Sequence, residues 1–138
     1  MRSVNAPRTL WETIGPRADE SMNVAGRKVG PAEVEDAMMQ HAGVAEAAAI
    51  GVPDELKGEA IVGYVVARPG AVVDGSAVSA TVVEVLGPTF WPRAVVVVAE
   101  LPKTQSGKIV RRLIRQSYLG EPLGDLSTVA NPWALGAK

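Results

Sequence analysis

Three apolar runs of strand length, separated by segments with helical periodicity, constrain the fold of this 138-residue chain more than any other feature. The runs are VAEAAAIGV at 44–52, EAIVGYVVA at 59–67 and RAVVVVAEL at 93–101. Short runs rich in β-branched residues and bounded by turn formers are typical of strands. The third run is almost entirely apolar, which predicts a strand at the centre of the sheet. Between the first two runs, VPDELKGE predicts a loop rather than a tight hairpin.

Three helical segments alternate with these runs: GPAEVEDAMMQH at 30–41, GSAVSATVVEVLG at 75–87 and GKIVRRLIRQSYLG at 107–120. In the first of them, Pro31 suits the opening turn and His41 falls on the predicted buried stripe. The third is amphipathic, and we expect it to begin at Lys108. Ahead of the first helix, SMNVAGRKVG predicts two short strands that turn at Ala25 and Gly26. The chain is therefore predicted to be α+β, with a short mixed or antiparallel sheet, an N-terminal two-stranded hairpin and about three flanking helices.

Composition limits the classes of function. An apolar fraction of 47% with 21% charged residues is ordinary for one soluble domain, and a net charge of -1 argues against general attraction to nucleic acid or membranes. The chain has no cysteine and a single histidine, which makes thiolate or histidine metal sites and Ser-His catalysis unfavourable interpretations. The opening residues lack the apolar stretch of a signal peptide. We expect a cytoplasmic protein with no metal site.

The segment LPKTQSGKIVRR concentrates four cations around a small polar turn. A phosphate-binding loop does not explain it, because that loop requires glycine where Pro102 stands and Ser or Thr where Ile109 stands. Lys108 gains nothing from a helix start, where a cation opposes the helix dipole. Two interpretations stay open: a solvated loop lysine, or a point charge delivered to an anion by an exposed, mobile loop.

A second basic cluster lies in RADESMNVAGRKVGP at 17–31. Arg17, Arg27 and Lys28 form it, and the acidic residues among them allow local charge pairs worth roughly 0–1 kcal/mol each. Gly26 permits close approach of a ligand or another chain to the backbone. A solvated turn and a binding surface both fit this pattern.

Three motifs occur in order along the chain: GRKVGPAEVE, VPDELKGEAIVGYVV and LPKTQSGKIVRRLIR. Together they resemble the carboxy-terminal domain of the adenylate-forming superfamily, which includes acyl-CoA synthetases, peptide-synthetase adenylation domains and luciferases. The tail LGDLSTVANPWAL resembles the acetyl, propionyl and medium-chain acyl-CoA synthetase branch. The resemblance implies an irregular leader at 1–16, a lid domain at 17–116 and a tail at 117–138.

The resemblance also implies a reaction in two halves. A carboxylate first attacks the α-phosphate of magnesium-bound ATP, giving an acyl-adenylate and pyrophosphate. The domain then rotates, and coenzyme A attacks the adenylate to give a thioester and AMP. Lys108 resembles the lysine that bridges carboxylate and phosphate in the first half-reaction. Asp19 matches the hinge position about which the domain rotates. Residues matching substrate-binding or hinge-supporting positions are Arg17, Gly26, Arg27 and Lys28, whereas Glu33 is read as structural. ATP and coenzyme A are expected as substrates, with no tightly bound cofactor.

Several positions depart from the family pattern. Pro16 stands where glycine is usual, and Lys28 replaces an arginine, losing a two-pronged contact to phosphate. Val83 and Glu84 occupy positions that are often basic and hold the coenzyme A nucleotide, so that contact is in doubt.

The family's large amino-terminal domain, with its phosphate loop and acyl pocket, has no counterpart in these residues. We therefore expect the lid domain of an acyl-CoA synthetase, inactive alone, whose partner is that large domain. The alternative is a free-standing module that docks on a separate adenylating subunit. A third interpretation is a binding protein without a catalytic role.

Overall fold

The computed structural model of the chain describes residues 21–124 and 126–135. Its main elements are β1 (Met22–Val24), β2 (Arg27–Val29), α1 (Pro31–Met39), β3 (Val44–Asp54), β4 (Gly58–Ala67), α2 (Gly75–Leu86), β5 (Ala94–Val98) and α3 (Arg111–Leu119), with short 3-10 helices at Pro88–Phe90 and Pro132–Leu135. The predicted α+β class, N-terminal hairpin and three helices are confirmed. Within these ranges, no helix has the length and apolar character needed to cross a bilayer.

The sheet is mixed and is built around β4. One edge of β4 pairs with β3 along its whole length in antiparallel fashion. Its other edge pairs with β1 at Gly58 and with β5, in parallel, from Val62 to Val66. The order β2-β1-β4-β3, with β5 beside β4, therefore makes β4 the central strand.

The prediction that the 93–101 run is central is wrong. Among the described strands, β5 pairs with β4 alone and is an edge strand. Its apolar character has another cause, because both faces of the sheet are covered by helices. Val95 packs against the core on one face, and Val96 packs against the core on the other. A strand between two covered faces reads as continuously apolar even at a sheet edge.

The prediction of an open loop between the first two strands is also wrong, since β3 and β4 form a tight hairpin with Asp54 paired to Gly58. The Asp54 carboxylate accepts hydrogen bonds from the backbone N–H groups of Lys57 (3.0 Å) and Leu56 (2.9 Å). Both hydrogen bonds lower the pKa of Asp54, and the bond from Lys57 has the larger effect. Aspartate favours turns because its side chain replaces a strand partner in this way.

Two apolar cores sandwich the sheet. α1 and α2 cover one face, where Ala47 and Ala49 of β3 point, and α3 covers the other, where Ala48 and Ile50 point. This alternation follows from the two-residue period of a strand. His41 is an exception to the predicted α1 stripe: it lies beyond the end of the helix, half-buried, and its Nδ1 accepts the Gly43 N–H at 3.0 Å.

The outer edge of β3 is covered by charged side chains rather than by another strand. Glu35 on α1 accepts the Ala49 N–H at 2.9 Å, and Arg111 at the start of α3 grips the same carboxylate with two bonds of 2.7 Å. Arg115 donates to the Gly51 carbonyl at 2.9 Å. The two-pronged Arg111–Glu35 contact ties α3 to α1 around the edge. It therefore fixes where α3 begins, immediately after the lysine motif.

The edge position of β5 makes a stability prediction. Val96 faces the α3 core, whereas Val97 is 45% exposed. We expect Val96→Ala to reduce the free energy of unfolding by about 1–3 kcal/mol, and Val97→Ala to change it by less than about 0.5 kcal/mol. Urea titration monitored by circular dichroism measures both. Equal losses would contradict the assigned facing of the strand.

Candidate functional site

The lysine motif forms a closed turn, which we call the lysine turn (residues 103–109). Lys103 pairs with Ile109 as an isolated antiparallel bridge. The Thr104 N–H donates to the Lys108 carbonyl at 2.9 Å, and the Gly107 N–H donates to the Thr104 carbonyl at 2.9 Å. Gly107 has a φ of 90°, a left-handed conformation that favours glycine. The motif thus reverses the chain within five residues.

Lys108 does not begin a helix, contrary to the sequence prediction. α3 begins at Arg111, and Lys108 lies on the returning limb of the lysine turn. The backbone of Val110 is also engaged, because its N–H donates to the Pro102 carbonyl at 2.9 Å. Hydrogen bonds to residues 102–104 therefore keep residues 108–110 extended. As a result, α3 begins at Arg111 rather than at Lys108.

The hydroxyl of Thr104 fixes the backbone at Lys108. Its Oγ accepts the Lys108 N–H at 3.1 Å and lies 3.0 Å from the Ser106 hydroxyl. Residues 105–108 are exposed. The turn therefore presents Lys108 to solvent from a backbone that is held on both limbs.

The two lysines of the turn have different surroundings. Lys103 Nζ lies 2.9 Å from Glu46 Oε1, a carboxylate oxygen that is itself shielded from water. No side chain within 21–124 or 126–135 makes an ion pair or hydrogen bond with the exposed Lys108 ammonium. One lysine is thus committed to the fold, and the other is available to an external anion.

The glycine turn, residues 24–27, connects β1 to β2. Ala25 and Gly26 both have positive φ, 53° and 84°, which is the geometry of a two-residue hairpin turn. The Ala25 N–H donates to the Lys57 carbonyl at 2.8 Å, so the turn rests on the β3–β4 connection. A Cβ built on Gly26 would meet nothing within 4 Å. Backbone conformation requires glycine here, and its outer side is open.

Two of the other predicted site residues lie at the glycine turn. Arg27 and Lys28 are exposed, and the Arg27 guanidinium lies 5.4 Å from the centre of the Phe90 ring. This contact gives Arg27 a packing role as well. Arg17 and Asp19 lie outside the described residues. Glu33 accepts the Gly30 N–H at 3.0 Å and so caps α1, the structural role expected for it.

The lysine turn and the glycine turn lie at opposite ends of the β3–β4 hairpin. The glycine-turn hairpin meets β4 at Gly58, whereas Lys103 contacts Glu46, which pairs with Val66. Gly58 and Val66 are roughly 27 Å apart at a rise of about 3.4 Å per residue. A single small reaction site can therefore contact only one turn at a time.

Comparison with protein families matches residues 33–108 to the AMP-binding enzyme C-terminal domain. The chain belongs to this family. The matched region ends at Lys108 and excludes the glycine turn. The assignment agrees with the resemblance inferred from the three motifs.

Individual relatives of this AMP-binding C-terminal domain point the same way. An acetyl-coenzyme A synthetase of Methanothrix thermoacetophila is 45% identical over 122 residues, covering 86% of this chain and 18% of the relative. One from Deinococcus radiodurans is 43% identical over 126 residues, 91% of this chain and 19% of that protein. A crystal structure of Brucella canis acyl-CoA synthetase superposes with a TM-score of 0.70 at 37% identity, covering 75% of this chain and 20% of that one. The chain spans about a fifth of the length of these relatives.

Sequence reasoning missed the residues that hold the lysine turn from its far side. Asn131, in the tail, bonds to the backbone of Lys103 and Leu101. The Asn-Pro pair at 131–132 is a turn signal in the sequence. That signal does not reveal a partner 28 residues earlier, so only the folded chain brings the tail and the lysine turn together.

Proposed function

We propose that this chain supplies the lysine-bearing mobile domain of an ATP-dependent acyl-CoA synthetase, with Lys108 as the catalytic cation of carboxylate adenylation. The observation that carries this proposal is the exposed Lys108 ammonium, without a partner among the described residues, on a turn whose backbone is fixed. A solvated lysine of no function requires no such fixation. Membership of the AMP-binding C-terminal domain family supports the assignment.

The chemistry explains why a lysine is needed. The carboxylate and the α-phosphate of ATP are both anions, and they must approach within bonding distance while negative charge grows on the phosphoryl oxygens. A cation held in place before the reaction offsets that repulsion without reorganising. An ammonium suits the role because it is a compact charge that can contact two oxygens at once. Magnesium accompanies ATP as part of the substrate.

The opposite end of the domain is assigned to thioester formation. There the open outer side of Gly26 gives room for a thin chain such as that of coenzyme A to pass close to the backbone. Lys28 is exposed beside it and offers a charge to phosphate, and Arg27 lines the same turn. Asp19, supported by Arg17, is proposed as the hinge that exchanges the two ends. The large amino-terminal domain supplies the nucleotide and acyl pockets.

The proposal predicts that activity requires this partner. The 138 residues correspond to about a fifth of the synthetases they match, so we expect no ATP–pyrophosphate exchange from the chain alone with acetate or any other acid. Joining it to the large domain of the Methanothrix relative should restore exchange and thioester formation. Acetate is the first acid to test, because that relative is named as an acetyl-coenzyme A synthetase.

Two forms of the restored enzyme separate the alternatives. Covalent fusion tests the chain as a domain, and simple mixing with the large domain tests it as a docking module. Exchange by the purified chain alone, or no exchange in either form when an intact relative is active under the same conditions, would overturn the proposal.

A further inference from the structure

The tail, residues 126–135, packs along the lysine turn on the side opposite to Ile109. Val129 pairs with Thr104 in an isolated antiparallel bridge and is only 6% exposed. The Ala130 N–H donates to the Lys103 carbonyl at 2.8 Å. The outgoing limb of the turn is therefore paired on both sides, by its own returning limb and by the tail.

Asn131 extends this pairing with its side chain. Its Oδ1 accepts the Lys103 N–H at 2.7 Å, and its Nδ2 donates to the Leu101 carbonyl at 2.8 Å. A carboxamide offers one acceptor and two donors, so it can bind a strand as a peptide group would. The amide thus replaces a missing strand residue opposite Leu101–Lys103.

Glu100 holds this amide in place. Its Oε1 accepts a bond from Asn131 Nδ2 at 3.2 Å, and its Oε2 accepts the Trp133 indole N–H at 2.6 Å. Trp133 is 60% exposed, so apolar burial contributes little to fixing it. The contacts of Glu100 direct the tail onto the strand just before the lysine turn.

We propose that Asn131 is a positioning residue for Lys108, an inference that rests on the function proposed for Lys108 above. Asn131 fixes the backbone of Lys103, and Lys103 is bridged to Ile109 next to Lys108. Thr104, one residue on, binds the Lys108 backbone with both its N–H and its hydroxyl. A loss of the Asn131 contacts is therefore transmitted to Lys108 through only two residues.

The inference has a functional consequence because electrostatic catalysis depends on placement. A reacting group displaced by about 1 Å can lose on the order of 100-fold in rate. The ammonium itself remains present and charged in an Asn131 variant. Such a variant should therefore behave as a weakened form of a Lys108 variant, with the loss confined to adenylation.

The first experiment uses the full chain and measures backbone amide hydrogen exchange at residues 101–110. Asn131→Ala should accelerate exchange at Lys103 about tenfold or more, the scale expected for losing one or two hydrogen bonds. Asn131→Asp keeps the acceptor but sets a second carboxylate against Glu100 Oε1 and the Leu101 carbonyl, so it should not restore the wild-type exchange rate. Thr128→Ala is the matched control, because Thr128 is an exposed tail residue and its exchange profile should equal that of the wild type.

The second experiment places the same variants in the fusion with the Methanothrix large domain. Asn131→Ala should lower ATP–pyrophosphate exchange about 10- to 100-fold. Thioester formation from preformed acyl-adenylate should stay within about twofold. A general folding defect would instead lower both half-reactions together.

Failure of this inference is distinguishable from failure of the proposed function. Unchanged exchange at Lys103 in Asn131→Ala overturns the positioning role whatever Lys108 does. Faster amide hydrogen exchange at Lys103 with unchanged adenylation also overturns the positioning role, provided that Lys108→Ala in the same fusion is inactive in adenylation. If Lys108→Ala adenylates normally, the proposed function is wrong and the positioning role falls with it.

Discussion

Replacing Lys108 by alanine in the fused enzyme is expected to slow the adenylation half-reaction about 100- to 1,000-fold and to leave the thioester half-reaction nearly unchanged. This scale corresponds to about 2.7–4 kcal/mol, the usual loss when one preorganised electrostatic group is removed. The asymmetry follows from the placement of the lysine turn and the glycine turn at opposite ends of the β3–β4 hairpin. ATP–pyrophosphate exchange measures the first half-reaction, and thioester formation from synthetic acyl-adenylate measures the second.

Lys103→Ala is the control within the same turn. The Lys103 ammonium is already paired with Glu46, with both side chains about one-third exposed, 33% and 39%. Glu46 Oε1 is shielded from water, so removing the ammonium should cost about 1–3 kcal/mol of stability, but the backbone bonds of the turn remain. Adenylation should therefore change little. If Lys103→Ala is as damaging as Lys108→Ala, or if Lys108→Ala slows both half-reactions equally, Lys108 does not have the role proposed for it.

Acetylation of Lys108 removes the same charge and should resemble Lys108→Ala.

Met38→Ala is expected to reduce the free energy of unfolding by about 2–5 kcal/mol. Met38 is fully buried between α1 and the sheet, and its neighbour Met39 is 39% exposed on the same helix. Met39→Ala should therefore change stability by less than about 0.5 kcal/mol. Urea titration of the full chain measures both variants. A similar loss from the two substitutions would contradict the orientation of α1.

Gly63 supplies a stricter test of the same contact. A Cβ at this position would lie 2.5 Å from Met38 Sδ, so Gly63→Ala in the wild type should overpack the core and cost about 1–3 kcal/mol. In the Met38→Ala background that space is empty. The double variant should then be more stable than the sum of the two losses predicts, by at least about 1 kcal/mol. Simple additivity would show that the two residues do not share this space.

The fold class was predictable because local signals and the core agree. Pro31 and Glu33 mark the start of α1, and Val34, Ala37 and Met38 are buried where helical periodicity places them. The two-strand hairpin at 22–29 turns at Ala25 and Gly26, as its sequence predicts. In each case the information lies within a few neighbouring residues.

The errors arose where a distant contact or a side-chain bond decides the structure. The apolar character of β5 indicates that residues on both of its faces pack against a core. It does not indicate how many strands lie beside it. Asp54 closes a tight hairpin through its carboxylate. The turn around Lys108 is kept extended by bonds to residues 102–104, so α3 begins three residues later than its periodicity indicates.

The candidate site shows the same division. The roles predicted for Lys108 and Gly26 come from the resemblance of their motifs to the family, whereas the local sequence alone leaves Lys108 open between a solvated lysine and a functional one. Asn131 was not identified, because its partners Leu101 and Lys103 are distant in sequence. The paired state of Lys103 was equally hidden, since Glu46 lies on a strand that the motif does not include.

The opposite placement of the two turns sets the size of the movement that exchanges them. The continuous β3–β4 ladder carries both turns on one body, so neither turn can replace the other by a rearrangement of its own loop. Under the proposed function, the switch between the two half-reactions is therefore a reorientation of the whole domain.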